Sequence, residues 1–287
     1  MTTATPHLGD GESPLRPKES HSEEQSLPRR ATLRTIPRLQ GGYRRDAPAA
    51  VATVARLRRE AGRDPHGSPS SWGLDHLATL TALRDQQREE QEEGRAAPRY
   101  LSARERAREE EREEREDRAV HLAVTLWALH QQALRDESMH KPGWPLGRAV
   151  RRLAHGKTGT TDHDRDGNVE GNSDTTARSD EAVEEVRPTI RKRFVRIGVS
   201  ADIETLSSRL REIVLLLRTS RIPLDYGQLA EQLYLWQDDN HQANVRRAWG
   251  REFHRSYRKD AEPEAGEDSP TPPAGSQQNI TTDDADD

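Results

Sequence analysis

Residues 200–217 read SADIETLSSRLREIVLLL, and this stretch decides the fold class. Ile203, Leu206, Leu210, Ile213, Val214 and Leu217 recur at spacings of 3, 4, 3, 1 and 3, the period of one helical face. Ser200 or Asp202 can cap the start, because a short oxygen-bearing side chain accepts the free N–H groups of a first turn. Working outward, Arg221-Ile-Pro-Leu-Asp225 is a turn whose Asp225 can cap the next helix. That helix carries Leu229, Leu233 and Trp236, and another follows with Val245, Trp249, Phe253 and Tyr257. On the N-terminal side, Ile190, Phe194 and Ile197 line a helix that Gly198 ends. Four amphipathic helices joined by short turns predict an all-α fold, an antiparallel helical bundle with disordered tails and insertions. No segment reads convincingly as a strand. Trp127, Leu210, Leu217, Trp236 and Trp249 are expected in the core.

Upstream the signal is more broken. A helix can begin at Asp46-Ala47-Pro48, carry Val51, Val54 and Leu57 inward, and stop at Gly62. A short helix is predicted over about 74–83, after a loop with Pro65, Gly67, Pro69 and Gly73. Leu122, Leu126 and Leu129, with Val120, Val124 and Trp127 beside them, predict a buried helix. Two prolines break the loop at 139–145, and Leu146, Val150 and Leu153 line another short helix. Residues 88–118 are almost pure Glu and Arg, which predicts a solvated helix laced by i,i+4 pairs, an insertion with no side for a core. Residues 156–186 are rich in Gly, Thr, Asp and Asn and read as a flexible insertion. Residues 1–48 mix Pro, Gly, Ser, Thr and charge without period and read as a disordered N-terminal tail; 260–287 read as an acidic disordered tail. The expected domain is a helical core over 49–259 containing the two insertions.

Composition agrees with a small core in a long chain. Of 287 residues, 31% are hydrophobic and 33% charged, too polar to offset chain entropy along the whole length. The absence of cysteine excludes disulfide staples, thiolate metal sites and a cysteine nucleophile. No apolar run suits a membrane span and no signal core opens the chain, so a cytoplasmic protein without a membrane partner is expected. The net charge of −5 conceals a segregation. Residues 260–287 hold nine acids and no bases, and 157–186 carry −6. The foldable remainder, 49–87, 119–156 and 187–259, carries +11. A basic core is the electrostatic footprint of a polyanion binder.

Catalytic and metal motifs are missing. There is no glycine-rich phosphate loop and no Gly-x-Ser-x-Gly elbow, and the acids sit mainly in segments with no wall to desolvate them. Asp162-His-Asp164-Arg-Asp166-Gly167-Asn-Val169 fits half of a calcium loop, but Ser173 stands where the bidentate Glu is needed. The histidines show no helical His-x-x-x-His pair and read as surface or cap residues. The expectation is a non-enzyme with no catalytic residue, no metal and no cofactor.

What remains is arginine beside apolar stripes: Arg56/Arg58/Arg59/Arg63, Arg148/Arg151/Arg152, Arg191/Lys192/Arg193/Arg196 and Arg246/Arg247/Arg251/Arg255/Arg258. In the last helix Arg247, Arg251, Arg255 and Arg258 run down one side, apart from the side carrying Trp249, Phe253 and Tyr257. Guanidinium is always charged and binds phosphate oxygens with a planar fork.

The order of these pieces resembles the CasB family, the small subunit of the type I-E CRISPR surveillance complex Cascade. The resemblance rests on Val54-Ala-Arg56-Leu-Arg58-Arg59, His121-Leu-Ala-Val-Thr-Leu-Trp-Ala-Leu-His130, Pro145-Leu-Gly147-Arg148-Ala149 and Ile190-Arg-Lys-Arg-Phe194. It continues through Leu206 to Arg211, Ile222-Pro-Leu-Asp225-Tyr226, Leu233-Tyr-Leu-Trp236 and Arg246-Arg-Ala-Trp249-Gly-Arg-Glu-Phe253. The segments 88–118 and 156–186 and both tails depart from it. The resemblance implies an all-helical, non-enzymatic subunit of an antiviral ribonucleoprotein. Its implied partners are the other Cascade protein subunits, crRNA, target DNA with its displaced single strand, and a second copy of itself. By position in the matching motifs, Arg58, Arg59, Arg148, Arg152, Arg191, Arg193 and Arg247 are the expected nucleic-acid contacts. A free-standing helical DNA-binding regulator and a purely structural scaffold are the alternatives.

Overall fold

The computed structural model describes residues 25–67, 69, 72–93, 101–160 and 187–255, which form nine α-helices. They are α1 (Leu27–Arg44), α2 (Pro48–Glu60), α3 (Asp75–Glu93), α4 (Ala103–Gln131), α5 (Leu146–Ala154), α6 (Pro188–Gly198), α7 (Ile203–Thr219), α8 (Tyr226–Trp236) and α9 (Asp239–His254). The fold is an all-α helical bundle. Among the described residues the only β contact is a single parallel bridge between His140 and Leu224. None of the described helices is long and apolar enough to cross a membrane.

The starts of the helices follow from local chemistry. Ser102 and Glu105 form a reciprocal capping box on α4, and Asp202, Asp225 and Asp238 accept from the first-turn N–H groups of α7, α8 and α9. Proline occupies the first turn of α1, α2 and α6, where its missing N–H has no intrahelical partner to lose. From Ala119 to Gln131 every residue of α4 is buried, so its second half is the axis of the core. Helices α1, α2, α3, α7 and α8 pack around it. Helix α5 joins α9, α6 and α7 beside this ring, and α9 also packs on α8. Trp127, Leu210, Leu217, Trp236 and Trp249 are all buried, as expected.

Three expectations are corrected. Residues 27–44, assigned to a disordered tail, form α1, which buries Ala31, Ile36, Leu39 and Tyr43 against α8, α4, α3 and α2. The core therefore begins well before residue 49. Second, the Glu/Arg segment does face a core at its end. Glu116 is buried and accepts from Arg84 Nε at 2.7 Å, while Arg84 Nη2 lies 2.9 Å from Asp117. Third, His76, His121, His130 and His140 are buried rather than superficial. The calcium-like pattern at 162–169 and the acidic tail at 260–287 lie outside the described residues.

Candidate nucleic-acid interface

The seven expected arginines divide into two kinds. Arg58 and Arg59 occupy the last turn of α2, whose other side buries Val54 and Leu57. Arg59 is exposed and Arg58 half-buried, and neither has a hydrogen-bond or ion-pair partner among the described residues. Arg191 on α6 and Arg247 on α9 are likewise exposed and unopposed among the described residues, as is Lys192. Such side chains keep a whole charge for a ligand.

Arg148, Arg152 and Arg193 are already engaged. Arg148 lies 4.2 Å over the Trp144 ring and donates to the Gly143 carbonyl at 3.0 Å, clipping the loop that feeds α5. Arg152 donates from Nε to Gly159 O at 2.7 Å and from Nη2 to Thr158 O at 3.0 Å, closing the turn that leaves α5. Arg193 pairs with Glu212 of α7 at 2.5 Å.

Packing brings α5, α6 and α9 together. α5 packs on both neighbours, and Phe194 of α6 stacks on Phe253 of α9 with ring centroids 5.1 Å apart. Five of the seven arginines thus sit on one helical cluster, while α2 packs instead on α1 and α4. The expected ladder down the last helix is shorter than the sequence suggests. α9 ends at His254, Arg255 turns to an extended conformation, and Arg258 lies outside the described residues.

One feature has no signature in the sequence. Between α6 and α7 a cleft of about 140 Å³ is lined by Arg193, Arg196, Arg209 and Glu212, two positive charges in excess. Arg209 reaches across from α7, donating from Nη1 to the Arg196 carbonyl and to Ser200 Oγ at 3.1 Å. Arg209 belongs to no run of basic residues, so no local signal marks it. Its position facing α6 is a product of tertiary packing. No group of three or more potential metal ligands occurs among the described residues.

Comparison with known proteins agrees with this architecture. The family described as CRISPR-associated protein Cse2 matches residues 53–254. The crystal structure of CasB from Thermobifida fusca is 35% identical in sequence, with a TM-score of 0.55, and the match covers 80% of this chain and 99% of that one. The crystal structure of CasB from Thermus thermophilus is 19% identical, with a TM-score of 0.45, over 79% of this chain and 97% of that one. No curated protein sequence matched the chain. The matched residues run from α2 to the end of α9, and on that span the chain belongs to the CasB (Cse2) family of the type I-E CRISPR Cascade complex.

Proposed function

We propose that this Cascade subunit is non-catalytic, contacts crRNA and target DNA, and holds the displaced strand of the R-loop on its basic helix faces. In this reading two copies act side by side in antiviral defence. The observation that carries the reading is the set of arginines without internal partners among the described residues, Arg58 and Arg59 on α2, Arg191 on α6 and Arg247 on α9. The arginine-lined cleft between α6 and α7 adds to it.

Guide pairing exchanges one duplex for another of similar stability, so a modest bias decides whether the R-loop persists. Arginines that neutralise phosphates provide that bias by releasing counterions, with a log–log salt slope of about −0.7 per phosphate on a single strand. Backbone contact carries no sequence information, so strand binding is expected to be indifferent to base order.

The test is R-loop lifetime in a reconstituted Cascade. Arg58→Glu with Arg59→Glu, and separately Arg191→Glu with Arg247→Glu, should shorten the lifetime and flatten its salt dependence while the subunit stays folded. Unchanged lifetimes in both double variants would leave the subunit as a scaffold.

A further inference from the structure

Taking that strand-holding role as its premise, we propose that Trp72 is a stacking platform for an unpaired base of the bound strand. The chain has five tryptophans, and four of them are at most 4% exposed; Trp72 is 71% exposed. An indole left in water forgoes a large burial gain, and here the ring is nevertheless held in place. Its Nε1–H donates to the His66 carbonyl at 3.3 Å, and its backbone N–H to Pro69 O at 3.3 Å. The loop beneath is itself pinned. Asp64 Oδ1 accepts the backbone N–H of His66 at 2.8 Å and of Gly67 at 2.9 Å. The His66 ring meets Asp117 Oδ2 at 2.9 Å, and Asp117 is anchored in turn by Arg84. The indole is tied by its edge, which leaves ring surface open to solvent.

The surroundings say what kind of ligand fits. The other exposed large hydrophobic residues among those described are Val195 and Val199, which lie on α6 and at its C-terminal cap. Among the described residues, no other exposed large hydrophobic side chain belongs to the loop that carries the ring, whereas a protein hot spot gathers several. Earlier in the chain, Arg59 and Arg63 precede the loop, interspersed with Glu60 and Asp64. Arg63, three residues before His66, has a side chain 58% exposed and a long 3.6 Å contact with Glu60. Arg59 lies in the last turn of α2 with no partner among the described residues. A solvent-open π-face on a loop that follows the arginine-bearing end of α2 matches the two parts of a nucleotide, a flat base and a charged phosphate. Every base has such a face, so the platform adds affinity without adding sequence preference.

The experiment uses the full chain and an oligo(dT) single strand. Trp72 supplies the solvent-exposed component of the intrinsic emission. Titration with oligo(dT) should quench that component, and a duplex of equal length should quench it far less. Trp72→Ala should weaken oligo(dT) binding by roughly 5- to 100-fold, and Trp72→Phe should retain most of the affinity. Salt-sensitive binding that persists in Trp72→Ala at parental strength, with no quenching in the parent, overturns the platform while leaving the strand-holding role intact. Loss of co-assembly with the other Cascade subunits in Trp72→Ala, with strand binding unchanged, overturns it in favour of a protein contact. Absence of salt-sensitive strand binding in parent and variants alike removes both the platform and the role on which it rests.

Discussion

The side chain of Gln40 pairs with the backbone of His140, a hundred residues away, as a neighbouring strand would. Its Oε1 accepts the His140 N–H at 2.9 Å and its Nε2 donates to the His140 carbonyl at 3.3 Å. The same Oε1 accepts Trp127 Nε1–H at 3.3 Å, so one amide from α1 joins the α4–α5 loop to the axis of the core. On its other side that loop is bonded to the segment before α8. Leu224 N–H donates to Met139 O at 3.0 Å, Asp225 N–H to Trp144 O at 2.7 Å, and Asp225 Oδ2 accepts Gly143 N–H at 3.0 Å.

Replacing Gln40 with Leu keeps the volume and leaves three buried polar groups without partners. At ~1–3 kcal/mol for each unsatisfied group, and with partial relaxation, the loss should be about 2–5 kcal/mol. Urea unfolding of parent and variant measures it, and an unchanged midpoint would show that α1 is not part of the cooperative core.

That pairing also shows where sequence reading stops. Helix α7 was legible because Leu206, Leu210, Ile213, Val214 and Leu217 form an uninterrupted stripe, and all five are buried. Asp225 was legible as a cap because its role is local. Helix α1 was hidden because Pro28, Pro37, Gly41 and Gly42 dilute its stripe and read as punctuation. Two glycines instead allow close packing of this helix. A Cβ on Gly42 would meet the Ala50 Cβ at 2.8 Å, and one on Gly227 of α8 would meet Leu33 Cδ2 at 2.8 Å. Nothing local in the sequence states such an approach. For the same reason Arg148 and Arg152 could not be told from Arg191 and Arg247: an arginine bonded to loop carbonyls and one open to solvent are spelled alike.

That division of the arginines gives opposite outcomes for two double variants. Arg191→Ala with Arg247→Ala should melt like the parent yet lower the salt slope of strand binding by about 0.7 for each phosphate that is no longer neutralised. Arg148→Ala with Arg152→Ala should cost ~1–3 kcal/mol of stability, because a ring stack and three bonds to carbonyls disappear. Thermal melts and oligonucleotide titrations over a range of salt separate the two. A parental melt for the second pair would show the loop clips to be idle.

At the end of the Glu/Arg segment, Arg84 is 8% exposed and binds Glu116, Asp117 and the Glu113 carbonyl. Arg84→Ala leaves the buried Glu116 carboxylate with the 3.8 Å contact to half-exposed Arg112, and breaking a buried pair on one side typically costs ~3–5 kcal/mol. Arg84→Met with Glu116→Leu removes that pair and should recover part of the loss, Asp117 still lacking its 2.9 Å contact with Arg84 but keeping His66. Denaturant midpoints of the two variants decide it, and equal destabilisation would mean that packing rather than charge governs this junction.

At Gly147 α5 comes close to α9. A Cβ there would stand 2.5 Å from both the Trp249 carbonyl and the Glu252 Cβ, and 2.6 Å from Phe253 N. Main-chain atoms cannot swing aside as a side-chain tip can, so Gly147→Ala should force the helices apart at a cost of ~1–3 kcal/mol. A melt unchanged from the parent would mean that the two helices separate freely.

Acid should unfold the protein through its buried histidines before its carboxylates take part. His76 Nε2 lies 3.1 Å from His121 Nδ1, and His121 Nε2 lies 3.4 Å from the Glu60 carbonyl. This relay accommodates two neutral rings, with His121 donating to Glu60 and His76 donating to His121. Burial, reinforced by His121, pushes His76 from 6.5 down to about 3. Burial likewise takes His130, bonded to Tyr226 Oη at 2.8 Å, down to about 3. The unfolded chain accepts these protons near pH 6.5 and the folded chain refuses them, so stability is full above pH 6.5 and declines as pH falls towards 3. The lowered carboxylates Asp64, Asp202 and Asp238 start from 3.8 and act below this interval, whereas Glu252, raised from 4.5 by burial, takes up its proton more readily in the folded chain and opposes the histidines between about pH 6.5 and 4.5. Urea midpoints should fall across that interval in the parent. In His76→Gln with His130→Gln they should fall less steeply from whatever value the variant has at neutral pH. Parallel slopes would assign the acid loss to other groups and leave the buried histidines as packing residues.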